Sequence, residues 1–408
     1  MRMKIAALAA VLMGLAALPA ARTPFTSSGG QKVLPNNHEV KHVIIMVADG
    51  MGLADVTAAR IRKNGIGGAS LRFETLDEIG YQRTYSEKNT VTDSAAAASA
   101  WACGEKFAND EICRHTDGRQ NNPSLLELAQ AEGWTTGLVS TREITNATPA
   151  AFGAHVTFRD CENEIAGQYV QMTRPNVMLG GGRSKFKPTA PDPCGGTVDY
   201  ISAAQLSGYT YVTDKTGLQA AVAGGANRLL GLFKSAYMTP EVQRPFVPSS
   251  VTEPHLSEMA AAAIVTLDRL NDRFFVLIEG GLIDLANHVE WLDAQVAETS
   301  AFDDSVGVVL DWINASEERK QHTLLIVLVD HETGGFAVMG TEVAGAEPLG
   351  WFSGGWTFVM PPPPPSTTSV ARHTGTDTMI WSQGPGSAAL GKAIDNTTVY
   401  DVVKAVLR

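Results

Sequence analysis

Basic residues are in short supply in this 408-residue chain. Lys and Arg number 32 against 43 Asp and Glu, a formal net charge of −11. That deficit argues against a nucleic-acid-binding module, whose footprint is a basic patch. Charge of either sign is sparse at 18% while 44% of residues are hydrophobic, which excludes a disordered or low-complexity chain. An anionic ligand must therefore be drawn by a local positive feature, against the overall sign. Long hydrophobic runs are also few. One, Ile5 to Leu18, follows Arg2 and Lys4 and precedes Pro19, Ala20 and Ala21. It is shorter than the roughly 20 residues of a membrane span and has the pattern of a secretory signal over residues 1–21. The expectation is an exported protein, periplasmic or secreted, with no stable membrane anchor. Cysteine is limited to Cys103, Cys113, Cys161 and Cys194. Export makes these disulfide candidates. Three pairings are open, and Cys103 with Cys113 and Cys161 with Cys194 are favoured because each closes a local loop. Internal repeats and clear linkers are lacking, which favours one domain over two.

Residues 22–39, with Pro, Ser, Gly and Asn, form a flexible lead-in. From residue 40 to 408, short apolar runs alternate with amphipathic or Ala-rich stretches. That alternation predicts an α/β fold, a single large domain with a central, mostly parallel sheet flanked by helices. Val43 to Val47, Thr135 to Val139, Phe274 to Ile278, Leu324 to Val329 and Thr378 to Trp381 are expected to be buried strands. Leu125 to Ala131, Ser257 to Leu270 and Val296 to Ile313 are expected to be helices. Pro361 to Pro365 can join neither a helix nor a central strand, so residues from about 340 to 372 should form a surface excursion. Trp351 and Trp356 within it would either line a cleft mouth or make the loop's own small core.

The residues just past the strand ends carry chemistry. The first strand ends in Asp49-Gly-Met-Gly, the third in Glu279-Gly-Gly with Asp284 and His288 beyond, and the fourth in Asp330-His331. In open α/β sheets ligands bind outside the carboxyl ends of the strands, where these groups should converge. Asp284 and His288, four apart, share one helical face and can grip one ion. A lone Asp at a strand end is usually a cap or turn residue; three such ends, two of them followed by His, point to metal. Carboxylate with imidazole suits Zn²⁺, and carboxylate with hydroxyl and water suits Mg²⁺.

A second constellation is Thr92-Asp-Ser followed by four alanines. Polar residues before strong helix formers place Ser94 at a helix N-terminus, where backbone N–H groups stabilise an alkoxide or phosphate. With neither a G-x-S-x-G elbow nor an evident Ser-His-Asp arrangement, metal coordination remains as the activator of a nucleophilic serine.

Six segments, Val47-Ala-Asp-Gly-Met-Gly, Thr92-Asp-Ser-Ala-Ala-Ala, Asn146-Ala-Thr-Pro-Ala-Ala, Ile278-Glu-Gly-Gly-Leu-Ile-Asp with His288, Val329-Asp-His-Glu-Thr-Gly-Gly and His373-Thr-Gly, together resemble the alkaline phosphatase family, in that family's order. The resemblance implies hydrolysis of small phosphate monoesters through a phosphoserine on Ser94. It also implies two Zn²⁺, one held by Asp284, His288 and His373 and one by Asp49, Asp330 and His331. A Mg²⁺ would be held by Asp49, Thr148 and Glu279. Arg159 matches the arginine that clamps two phosphate oxygens, His155 is taken as structural, and Cys161 falls where bacterial members have a disulfide cysteine. A homodimer is usual among relatives. Two departures stand out. Asn146 replaces an Asp of the outer Mg²⁺ shell, which should weaken Mg²⁺ retention, and Leu285 replaces a Lys that contacts phosphate through water. The alternatives are a phosphodiesterase or sulfatase of the same superfamily, for which Thr or a modified Cys would replace Ser94, and a non-catalytic exported zinc- or phosphate-binding protein.

Overall fold

A computed structural model describes residues 39–119, 121–338 and 371–408. The signal segment, all but the last residue of the lead-in, Trp351, Trp356, the five prolines and most of the excursion lie outside the described residues. Twelve strands occur among those described: β1 (His42–Ala48), β2 (Glu78–Arg83), β3 (Thr135–Glu143), β4 (Val177–Gly181), β5 (Thr210–Val212), β6 (Leu229–Leu232), β7 (Phe274–Gly280), β8 (Thr323–Leu328), β9 (Glu332–Thr333), β10 (His373–Thr374), β11 (Thr378–Gln383) and β12 (Ala393–Asp395). Ten form one sheet in the order β12-β2-β11-β8-β1-β7-β3-β4-β6-β5, and β9 and β10 form a separate ribbon. All sheet neighbours are parallel except β11, which runs antiparallel to both β2 and β8. The α/β architecture is therefore as expected, with one reversed strand inside a mostly parallel sheet.

Every residue of β1, β7 and β8 is buried, which is why their sequences read as continuous apolar runs rather than as alternation. The pleat divides them between two faces. Val43, Ile45 and Val47 face a cluster with Ala95, Ala98 and Trp101, whereas Ile44 and Met46 face Met259, Ile264 and Phe302. Fully burying a side chain of this kind is worth about 1.5–3 kcal/mol, so the central strands are the rigid part of the scaffold. Helix Leu256–Leu270 and helix Leu292–Asn314 cover the second face, and helix Ser94–Cys103 covers the first. All ten residues of helix Ser94–Cys103 are buried. Its alanines and those of helix Ala147–Gly153 share one packed cluster, a close approach that larger side chains would block. Strands β2, β4, β5, β6, β9, β10 and β12 were not anticipated. Of these, β4 and β6 are only four or five residues long and contain glycine, so neither offers a long apolar run.

Disulfides join Cys103 to Cys113 and Cys161 to Cys194, the two locally closing pairs. No described helix is long and apolar enough to cross a membrane.

Candidate active site

The order β8-β1-β7-β3 puts four carboxyl ends side by side. Asp330 follows β8 by two residues and Asp49 directly follows β1, while Glu279 is the penultimate residue of β7 and pairs in register with Val47 of β1 and Ser140 of β3. The turn after β1 depends on Gly50. Its φ of +73° is left-handed, and a Cβ there would lie 2.7 Å from the Asp284 Cα. Its N–H donates to Asp330 Oδ1 at 3.0 Å, tying the ends of β1 and β8 together.

Asp284 and His288 lie on helix Leu282–His288, one turn apart, with His288 Nε2 3.3 Å from Asp284 Oδ2. His373 on β10 completes this group, its Nε2 3.2 Å from His288 Nε2 and 3.7 Å from Asp284 Oδ1. His288 Nδ1 lies 2.8 Å from the Ala371 carbonyl and His373 Nδ1 lies 3.0 Å from the Thr92 carbonyl. A carbonyl can only accept, so each Nδ1 donates and the Nε2 lone pairs converge. Two lone pairs facing each other at that distance, beside a carboxylate, suit a cation.

His331 follows the same logic. Thr333 Oγ1 donates to Asp284 Oδ1 at 2.7 Å and therefore accepts from His331 Nδ1 at 3.2 Å. That orients His331 Nε2 toward Asp330 Oδ2 at 3.0 Å, Asp49 Oδ1 at 3.8 Å and Ser94 Oγ at 3.1 Å. At this site two groups have ligand atoms mutually within 4.8 Å: Asp49 with Asp330 and His331, as expected, and Asp284 with His331 and His373, in which His331 stands where His288 was expected. His331 belongs to both, and its ring stacks on His373 with centroids 3.5 Å apart.

Of the eleven buried side-chain oxygens without a hydrogen-bond partner among the described residues, four belong to groups expected at this site: Asp49 Oδ1, Thr148 Oγ1, Glu279 Oε1 and Asp330 Oδ2. Such orphans are costly, and all four belong to the expected ligand set, so the donor chemistry fits bound cations. The acids show the same strain. Burial, then the charges of Asp330, Asp284 and Glu279, push the Asp49 carboxyl well above its ordinary range. Burial likewise pushes Glu279 up to about 7, against the Ser140 hydroxyl that donates to its Oε2. Burial also opposes ionisation of Asp284, but His288, His331 and His373, when their rings are protonated in the absence of a cation, outweigh it and hold that carboxyl below the usual range.

Ser94 is the first residue of its helix. Asp93 caps the helix by accepting from the Ala96 N–H at 2.9 Å through Oδ1. Its other oxygen, Oδ2, accepts from Arg159 Nη1 at 3.0 Å. Arg159 therefore pairs with Asp93, not with its neighbour Asp160, and Nη2 points to Asn146 Oδ1 at 3.5 Å. Asn146 is the N-cap position of helix Ala147–Gly153, which carries Thr148. His155 lies elsewhere, held between the Cys113 carbonyl and Glu127, consistent with a structural role. A cavity of about 710 Å³ opens beside the cluster, lined by Thr90, Thr92, Asn109, Arg372, His288 and His373 among others.

Reading the residues passed over four that contribute here: Asp93, Ser140, Arg142 and Thr333. Ser140 and Arg142 follow the apolar residues of β3 just as Asp49 follows β1, so the same strand-end signal was present. Thr333 was visible only as a spacer in Val329-Asp-His-Glu-Thr-Gly-Gly.

Comparison with known proteins places these features in context. The alkaline phosphatase family profile matches residues 40–359. The streptomycin-6-phosphate phosphatase of Streptomyces griseus is 32% identical over 98% of this chain and 96% of its own. Among solved structures, the alkaline phosphatase of Thermus thermophilus superposes with a TM-score of 0.77 at 25% identity, covering 96% of each chain. A mutant of the alkaline phosphatase from the Antarctic bacterium TAB5, with Mg bound in its M3 site, gives 0.74 at 26% identity over 91% of this chain and 98% of that one.

Proposed function

Because the chain belongs to the alkaline phosphatase family and is a metal-dependent phosphatase acting on phosphate monoesters, we propose that it works through a phosphoserine on Ser94 with two Zn²⁺ and one Mg²⁺. The observation that carries this reading is the convergence of Ser94 Oγ, Asp49 Oδ1 and Asp330 Oδ2 on His331 Nε2. Asp49, Asp330 and His331 would hold one zinc ion and Asp284, His288 and His373 the other. Asp49, Thr148 and Glu279, each bearing an orphaned oxygen, would hold Mg²⁺. When bound, the zinc pair stabilises negative charge on the entering and departing oxygens of an in-line displacement.

The chain's own groups do the rest. Ser94 Oγ gives up its proton and bonds to phosphorus, and the ester P–O bond breaks as the alcohol departs with a proton. The N-terminal N–H groups of helix Ser94–Cys103 face the charge that gathers at that end. Arg159, steadied by Asp93, presents its guanidinium to two non-bridging oxygens. A monoester has three non-bridging oxygens and a diester two, so only a monoester can give Arg159 two of them and keep a third for the bound cations, and Arg159 favours monoesters over diesters. Water then attacks the phosphoserine, the Ser94 Oγ–phosphorus bond breaks, the serine regains a proton and phosphate leaves. Two successive displacements retain configuration at phosphorus.

A serine nucleophile and the Glu279–Thr148 pair favour this reading over the phosphodiesterase and sulfatase alternatives, and the family match sets aside a non-catalytic binding protein. Release of 4-nitrophenol from its phosphate at alkaline pH, with and without chelator, and elemental analysis of the purified enzyme, test the proposal. Turnover that survives complete zinc removal would overturn it. The relative from Streptomyces griseus puts streptomycin 6-phosphate beside simple monoesters in the substrate panel. The two disulfides and the N-terminal sequence support export to the periplasm or medium.

A further inference from the structure

Arg142 is the one cationic side chain that enters the acidic basin from β3, and none of the steps of the reaction uses it. Glycine at 281 makes room for it: a Cβ built there would collide with Arg142 Cγ on one side and stand 3.2 Å from the Glu279 carboxyl carbon on the other. The Arg142 stem and the Glu279 carboxylate therefore both crowd the space that a side chain at this position would fill. The guanidinium lies over the Tyr237 ring, 5.7 Å from its centroid, with Nε 3.5 Å from Glu143 Oε2. That Nε is buried and makes no hydrogen bond. Burial opposes the charge, yet the surrounding carboxylates of Glu143, Asp284, Asp49 and Glu279 outweigh it and keep the group protonated. Three of those four acids belong to the proposed metal-ligand set.

We propose that Arg142 is a positioning residue that sets the divalent-cation affinity of the Asp49–Thr148–Glu279 site. It places a permanent positive charge next to Glu279, where it offsets the mutual repulsion of the acids and competes electrostatically with Mg²⁺. A fixed cation whose charge is felt at Glu279 must weaken a dication site there, while the same charge offsets the repulsion among the acids before the ion arrives. The inference rests on the proposed assignment of Asp49, Thr148 and Glu279 to a third metal site.

The test is Mg²⁺ binding to the zinc-loaded enzyme, by equilibrium dialysis with elemental analysis, in the wild type, Arg142→Gln and Arg142→Lys. Loss of the charge in Arg142→Gln should tighten Mg²⁺ on the order of tenfold, and Arg142→Lys should stay near the wild type. Zinc content and circular dichroism report whether each variant folds. An unchanged or weakened Mg²⁺ constant in a folded, zinc-replete Arg142→Gln enzyme overturns the proposal, as does a Lys variant that behaves like the Gln one. A wild-type enzyme that binds two divalent ions and no third refutes the third-site assignment itself, and with it this role.

Discussion

Ser94 Oγ lies 3.1 Å from His331 Nε2, although 237 residues separate them in sequence. The contact joins a helix N-terminus to the residue after a strand-end aspartate. It exists because helix Ser94–Cys103 packs across the face of the sheet that carries β8. His331 is fixed by Thr333, and Ser94 is fixed by the Asp93 cap, so neither group has to reorganise to reach the other. Ser94→Ala should lower kcat on 4-nitrophenyl phosphate on the order of a thousandfold or more and remove the phosphoenzyme. Acid-quench labelling with a ³²P monoester checks this, and labelled protein in the variant would exclude Ser94 as the nucleophile.

Arg159 shares Asp93 with the helix cap. Asp93 Oδ1 accepts from the Ala96 N–H, and Oδ2 accepts from both the guanidinium and the Asp110 N–H. Arg159→Ala should cost roughly 1.5–3 kcal/mol of monoester transition-state binding, or about 10–100-fold in kcat/KM. Diester hydrolysis, where only two non-bridging oxygens remain to be shared between the guanidinium and the cations, should fall much less. Equal losses on 4-nitrophenyl phosphate and its bis-ester would remove the clamp role. Asp93→Ala should combine a similar kinetic loss with a stability loss of about 1 kcal/mol from the missing cap, measurable by urea denaturation.

The legible parts of this protein were those where one local rule dominates. β1, β7 and β8 are buried on both faces, so their sequences are unbroken apolar runs, and Asp49, Glu279 and Asp330 stand out where those runs stop. Ser94 was legible because polar residues followed by alanines mark a helix start. His373 is different. It sits on a two-residue strand paired with β9, has no periodicity around it, and could be placed only by family resemblance. Thr148 and Arg159 were in the same position, since a buried threonine on a short helix and an arginine beside an aspartate have ordinary explanations. Arg142 was missed although it follows an apolar strand. Its significance comes from Gly281 and Glu279, more than 130 positions away, and no local pattern encodes that. β11 reads like the parallel strands of the sheet because burial leaves no mark of strand direction.

Asn146 Oδ1 faces Arg159 Nη2 at 3.5 Å, and Thr148 lies two residues further along the same short helix. A neutral amide at this point gives a nearby dication less support than a carboxylate would. Mild dialysis against Mg²⁺-free buffer should therefore deplete Mg²⁺ before zinc, and Asn146→Asp should slow that loss, tightening Mg²⁺ about tenfold. Elemental analysis across a dialysis series is the measurement. Mg²⁺ retained as firmly as zinc in the wild type would contradict the role given to Asn146.

Glu298, on helix Leu292–Asn314, supplies a pH dependence remote from the metal cluster. Its side chain is buried, and Oε1 accepts from the Glu241 N–H at 2.6 Å. Burial, then the charge of Glu241, raise its pKa from the ordinary 4.5 to about 8, against the Glu241 N–H and Arg244. The folded protein therefore holds a proton that the unfolded chain releases above about pH 4.5. With the folded pKa raised, the stabilising contribution of the protonated form is complete below that pH. It declines as pH rises and is gone above about pH 8, where the folded state must also carry a buried charge. Glu298→Gln preserves an acceptor for the Glu241 N–H and removes the titration, so it should stabilise the enzyme more at about pH 9 than at about pH 5, by up to a few kcal/mol. Urea midpoints of wild type and variant at the two pH values, with metals kept saturating, provide the comparison. A difference between variant and wild type that is the same at both pH values would mean that Glu298 titrates normally in the folded protein.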